Sequence, residues 1–183
     1  MVEARLDDLQ QIEAAVWREL QAAPVQRGHE WRIGTLATTD GEVGDARSVV
    51  LRDFEAATRT LIVYTDSRSP KTAQIAAHPL GTLVLWSASL SWQLRLRVNL
   101  EVETSGLRVS SRWARLKMTP GAQDYLSPLP PGSPVPRPAP ERGSREHFAV
   151  LLLHIQSVDW LELHADGHRR ASFYDRGRQW LTP

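Results

Sequence analysis

Trp92-Gln93-Leu94-Arg95-Leu96-Arg97-Val98-Asn99-Leu100-Glu101-Val102-Glu103 alternates apolar and polar side chains without a miss. A period of two over this length is a strand with one buried face and one wet face, because successive Cβ atoms point to opposite sides of the pleat. No helix tolerates that pattern, so an antiparallel sheet with one solvated side is the centre of the fold.

The flanking sequence extends the sheet in both directions. Upstream, Thr82–Ser87 reads as a strand, and Thr60–Thr65 (TLIVYT) as another rich in β-branched residues. Between them, Ser69-Pro70 opens a short helix ended by His78-Pro79, with serine at the N-cap and proline at the first helical position. Trp31–Thr38 and Asp45–Arg52, joined around Asp40-Gly41, make a hairpin. Residues 4–23 carry Leu6, Leu9, Ile12, Val16 and Leu20 at spacings of three and four, an amphipathic helix ended near Pro24. Downstream, a helix begins at Ser110 or Ser111 and runs to Met118, with Val109, Trp113 and Leu116 on one side. Residues 119–146 lack any period and hold seven prolines between Pro128 and Pro140, which reads as a lid, an interface arm or a disordered insert. Phe148–Leu163, Arg169–Tyr174 and Arg178–Leu181, with turns at Asp166-Gly167 and Arg176-Gly177, close the chain. Strands in a run with few helices, and no βαβ alternation, predict an α+β closed or partly closed barrel as one domain over 1–183.

Composition narrows the function. Against 183 residues, roughly 150 per domain argues for one. No cysteine excludes disulfides, thiolate zinc and cysteine nucleophiles, and fits a reducing cytosol. No apolar run approaches the roughly 18 residues of a membrane span, and the N-terminus has no signal-peptide pattern. The expectation is a soluble cytoplasmic protein with no membrane partner. Twenty-two basic against 21 acidic residues leave a charge of +1, which argues against a dedicated nucleic-acid binder. Glycine-rich phosphate loops, G-x-S-x-G and H-E-x-x-H are all missing, and no histidine spacing suggests a metal site. The paired carboxylates Asp7-Asp8 and Glu101/Glu103 fall on solvated faces and have no acid–base role.

Four constellations are candidates for chemistry. In Tyr64-Thr65-Asp66-Ser67-Arg68-Ser69-Pro70-Lys71 a strand end meets a helix start, where free N–H groups and the positive dipole end suit an anion. Thr65, Ser67 and Ser69 add hydroxyls, and Arg68 and Lys71 add charge; the competing reading is an ordinary capped surface helix. In Arg47-Ser48-Val49-Val50-Leu51-Arg52, Arg47 shares a face with Val49 and Leu51 and could reach a phosphate at the barrel rim, or simply pair with Asp45 or Asp53. Gln93, Arg95 and Arg97 share the polar face of the long strand, where glutamine could meet a heterocycle such as a flavin or merely face water. His164, His168, Arg169 and Arg170 surround a hairpin tip and are either polar tips or substrate contacts. Seven tryptophans are more than such a core needs, consistent with a ring-stacking pocket or an apolar interface.

Taken in order, these segments resemble the pyridoxamine 5′-phosphate oxidase-like family of FMN-binding split barrels. The matching pieces are Arg47-Ser48-Val49-Val50-Leu51-Arg52, Tyr64-Thr65, Asp66-Ser67-Arg68-Ser69-Pro70-Lys71, His78-Pro79, Gln93, and His168-Arg169-Arg170 with Trp180-Leu181-Thr182-Pro183. The resemblance implies a six-stranded antiparallel split β-barrel with flanking helices, acting as a homodimer with FMN at the interface. It implies that Arg47 and Lys71 hold the FMN phosphate with Thr65, Ser67 and Ser69 assisting, that the backbone of Val49, Val50 and Leu51 faces the ring, and that Gln93 meets its polar edge. The closing hairpin, with His168 and Arg170, would serve the site of the partner chain. The sequence departs from the oxidase: Arg52 stands where it has lysine, Ser172 where it has a C-terminal FMN arginine, and Glu162 where it has tryptophan, with Trp160 nearby. The implied function is an FMN-dependent oxidoreductase outside the strict oxidase, its substrate unidentified. A flavin-binding storage or sensing protein is the alternative, and an oligonucleotide-binding barrel a third.

Overall fold

The computed structural model describes residues 5–137, 143–174 and 177–183. Residues 1–4, residues 138–142 of the proline-rich stretch, and Asp175 and Arg176, the latter in the expected Arg176-Gly177 turn, therefore lie outside the described residues. Eight antiparallel strands follow in chain order: β1 (Ile33–Thr39), β2 (Gly44–Glu55), β3 (Thr60–Asp66), β4 (Leu80–Ser87), β5 (Trp92–Glu103), β6 (Phe148–Glu162), β7 (Arg169–Tyr174) and β8 (Gly177–Leu181). Their order in the sheet is β3-β2-β1-β4-β5-β6-β7-β8, and β3 also pairs with β6. That extra pairing closes six strands into a barrel and leaves β7 and β8 as an extension. The six-stranded expectation holds for the barrel itself.

β5 has the bounds its alternation predicts. Trp92, Leu94, Leu96, Val98 and Leu100 are buried in the barrel while Arg95, Arg97, Asn99 and Glu101 are exposed. Closure removes the free edges of the six barrel strands, the usual liability of a sheet, and leaves β8 as the edge of the extension. Helix α1 (Leu9–Ala22) packs Ile12, Val16 and Leu20 onto this core. It starts later than the residue-4 expectation because Asp8 is its N-cap, accepting from the backbone N–H of Gln10 and Gln11. Before it, Arg5 and Leu6 lie against the closing hairpin: Arg5 hydrogen-bonds Glu162, and Arg169 donates to the Leu6 carbonyl.

Helix α2 (Pro70–Ala77) falls where serine and proline place it. Helix α3 (Leu107–Leu116) begins earlier than Ser110, because Gly106 at φ 93° turns the chain out of β5 and lets the first turn form at once. Val109, Trp113 and Leu116 do share the buried face, and with Ile62, Phe148, Val150 and Leu152 they build a second core on the outside of β3 and β6. The stretch 119–146 contains 3-10 turns at Pro120–Tyr125 and Arg145–His147. Its ends are drawn together by the Gly143 N–H donating to the Leu126 carbonyl.

Candidate phosphate site at the barrel mouth

Inward-facing positions at one end of the barrel are polar. Leu61, Val63 and Thr65 face inward on β3, as do Leu36 and Thr38 on β1 and Arg47 behind Val49 and Leu51 on β2. Beside them α2 begins. Lys71 donates to Thr65 Oγ1 at 3.0 Å and to Ser69 Oγ at 2.6 Å, and both hydroxyl residues are buried. Ser69 therefore forms the N-cap without a capping side-chain bond, its oxygen held by Lys71 instead. Among the described residues Lys71 makes no ion pair. Burial, and then the neighbouring Arg47 guanidinium, push its pKa below the ordinary lysine value, only partly offset by Asp66 and Asp45.

Arg47 is held from four sides. It donates to Thr38 Oγ1 (2.6 Å), the Leu36 carbonyl (3.2 Å) and Gln74 Oε1 (3.1 Å), and pairs with Asp45. The pairing with Asp45 is one of the two alternatives that the sequence leaves open. Gln74 and Thr38, which hydrogen-bond each other at 2.5 Å, are members of the cluster that sequence reasoning missed. Gln74 stands three residues after Lys71 on α2, so the i,i+3 rule could have found it. Two adjacent, half-buried cations with one carboxylate between them, beside a helix start, form a place where an anion lowers the energy.

Several other candidates lie elsewhere. Arg68 forks onto Asp66 (3.0 and 2.7 Å) and reaches the carbonyls of Ser127, Pro128 and Leu129 at 2.8, 3.0 and 3.3 Å, so it anchors the proline-rich stretch. Despite the cost of burial, the Arg68 hydrogen bonds hold Asp66 below the usual carboxylate range. The Ser67 N–H donates to the His147 carbonyl at 2.8 Å, and its own carbonyl accepts from Thr72. Arg52 donates to the Tyr125 hydroxyl at 3.2 Å and lies 5.7 Å from the Tyr64 ring centroid, with its Nε buried and unpartnered. Tyr64, edge-on to Tyr125 and Phe148, has its pKa raised by burial. Ser48 is exposed and Val50 half-buried on the outer face of β2.

Gln93 is on the outer face of β5, and β1 and β4 intervene between β5 and β2. Three steps around a six-stranded barrel lead to the opposite wall. The outward side chains of Val50 and Gln93 therefore point apart within one chain. His168 caps its own hairpin, accepting from the His164 N–H at 3.1 Å, while Arg170 forks onto Asp159. Ser172 is 1% exposed and its hydroxyl has no partner; Trp160 is fully buried against Trp92. Among the described residues no three metal-ligating side chains come together, and no helix is long and apolar enough to cross a membrane.

Residues 12–104 match the family described as "Pyridoxamine 5'-phosphate oxidase, FMN-binding domain". A pyridoxine/pyridoxamine 5′-phosphate oxidase of Granulibacter bethesdensis is 30% identical over 171 residues, 80% of this chain and 76% of that protein. One from Caulobacter vibrioides is 33% identical over 100 residues, 52% of this chain, and the match spans only 44% of that relative's length. Among solved structures, a pyridoxamine 5′-phosphate oxidase-related FMN-binding protein from Nostoc punctiforme superposes with a TM-score of 0.71 at 24% identity, covering 97% of this chain and 98% of that one. PhzG from Burkholderia lata, in complex with tetrahydrophenazine-1-carboxylic acid, gives 0.70 at 16% identity over 100% and 99%. The last two show the shared fold. By the first two matches, the chain belongs to the pyridoxamine 5′-phosphate oxidase family with its FMN-binding domain.

Proposed function

We propose that the protein is an FMN-dependent oxidoreductase in which Arg47, Thr65, Ser69 and Lys71 hold the flavin phosphate at the barrel mouth. The observation that carries this is Lys71: a half-buried cation held by neutral hydroxyls and crowded by Arg47, with no carboxylate of its own. A phosphate supplies the missing charge. The ring lies along β2 over Val49, Val50 and Leu51. Arg52, its Nε unpartnered, borders this strand. When bound, FMN supplies hydride or electron transfer at its ring, and the protein supplies position and electrostatics.

The site is completed by a second copy of the chain. Ile33 (58% exposed) and Trp86 (45% exposed) share the outer wall of β1 and β4 with Val84, an apolar patch midway between β2 and β5. A two-fold axis through that patch, running along the strands, makes an isologous contact and sets β2 of one copy against β5 of the other. Val50 and Gln93, which diverge within one chain, then converge across the interface. The test is purification with an absorption spectrum, a thermal-shift comparison of FMN with riboflavin, and sedimentation. Yellow protein, stabilised more by FMN than by riboflavin and sedimenting at about twice 20.6 kDa, is expected. Colourless protein that ignores added FMN overturns the reading. NAD(P)H consumption under turnover then separates an enzyme from a flavin store.

A further inference from the structure

The two ends of the Arg47 guanidinium are held differently. Its Nη1 is fixed to the barrel wall, donating to the Leu36 carbonyl at 3.2 Å and to Thr38 Oγ1 at 2.6 Å. Its Nη2 is shared between the Asp45 carboxylate and Gln74 Oε1, the latter at 3.1 Å. Asp45 stands two residues before Arg47 on β2, so both side chains fall on the same face of the strand. The Asp45 side chain is half-exposed there, while that of Arg47 is mostly covered. The same Asp45 Oδ2 also accepts from Gln74 Nε2 at 3.3 Å. Gln74 therefore grips both members of the pair, its amide oxygen on the guanidinium and its amide nitrogen on the carboxylate. Hydrogen bonds from Gln74 and then Arg47 hold Asp45 below the usual carboxylate range, so it is ionised near neutral pH.

The mouth sets two cations, Arg47 and Lys71, against this one carboxylate, because Asp66 is already forked by Arg68. Their sum is about +1, whereas a phosphate monoester carries about −1.5 to −2 at neutral pH. An incoming phosphate meets a like charge in Asp45 and finds Nη2 taken. We propose that Asp45 is a resident anion of the barrel mouth: it occupies Arg47 in the flavin-free chain, the flavin phosphate displaces it, and it thereby sets how tightly the cofactor is held. This rests on the reading of the mouth as the flavin-phosphate site. Because Nη1 stays on Leu36 and Thr38, only the acceptor at Nη2 changes. Because Oδ2 already has the Gln74 amide, the displaced carboxylate keeps a donor. A brace that aims Arg47 at the phosphate would give the opposite response to loss of the charge.

The test is fluorescence-quenching titration of FMN and, separately, riboflavin into flavin-free protein, parent against Asp45→Asn. The substitution keeps the size and a neutral acceptor and deletes the charge. It should tighten FMN by about tenfold, the scale of one charge–charge interaction at a half-exposed site, and leave riboflavin unchanged. Asp45→Ser should shift FMN in the same direction. Gln74→Glu, which brings a second carboxylate to the same guanidinium, should weaken FMN and spare riboflavin. FMN affinity that is unchanged or lower in Asp45→Asn overturns the proposal, and so does equal tightening of both flavins. A parent and variant that prefer FMN over riboflavin to the same degree defeat the role of Asp45 and spare the phosphate site. If neither prefers FMN, the phosphate site itself is misplaced and the proposal falls with it.

Discussion

Replacing Lys71 with methionine keeps an unbranched apolar stem in place of the side chain and deletes its charge. If Lys71 is a phosphate ligand, FMN loses one charge-assisted hydrogen bond, about 1.5–3 kcal/mol, or roughly 10- to 150-fold in Kd. Riboflavin, which has the same ring and no phosphate, should bind the variant as it binds the parent. The two flavins are compared by quenching of their fluorescence on titration into flavin-free protein. The unliganded fold gives a second readout. Lys71 is charged beside Arg47 and burial works against that charge, so its removal relieves repulsion while leaving the Thr65 and Ser69 hydroxyls without their donor. These effects oppose each other, and the melting temperature should move little. Equal losses for both flavins, or none for either, would refute the placement of the phosphate. A collapse in melting temperature with unchanged FMN preference would make Lys71 a structural residue.

Arg47→Ala should lower both stability and FMN affinity, because Arg47 braces Leu36, Thr38, Asp45 and Gln74; a melt that is unchanged would show those contacts to be idle. Arg68→Ala should speed hydrogen exchange and proteolysis in residues 127–137 without altering flavin affinity, since its guanidinium holds three consecutive carbonyls there. Glu162, largely buried, is kept below its usual pKa by Arg169 and Arg5 against the cost of burial. A depressed carboxylate contributes stability above its unfolded value near 4.5 that is lost as pH falls through the folded value. Acid melts of Glu162→Gln should therefore show a shallower fall below pH 4.5 than the parent, and parallel curves would contradict this. FMN affinity should decline on the alkaline side before the ordinary lysine value of 10.5 is reached, as Lys71 loses its proton, with riboflavin unaffected.

The local pattern of the chain settled most of the secondary structure. Twelve alternating residues in β5, the β-branched run of β3 and the Ser69-Pro70 helix start are readable because backbone sterics and side-chain periodicity act over a few residues. The meeting of Thr65, Ser69 and Lys71 was legible for the same reason: they sit within seven positions. Helix starts were less legible, since an Asp8 cap or a Gly106 turn is one residue competing with a longer apolar stripe.

Tertiary structure decided what those segments do. Pairing of β2 with β3 brings Arg47 to the same mouth as Lys71, and barrel closure by β3 on β6 sets Gln93 on the far wall from Val50. Arg68 and Lys71, three residues apart, serve different ends because one faces the proline-rich stretch and the other the barrel mouth. Arg95 of β5 finds its partner only when β6 and β7 set Asp159 and Arg170 beside it. Periodicity assigns a side chain to a face; it is strand order, set by long-range burial of apolar surface, that assigns the neighbours on that face.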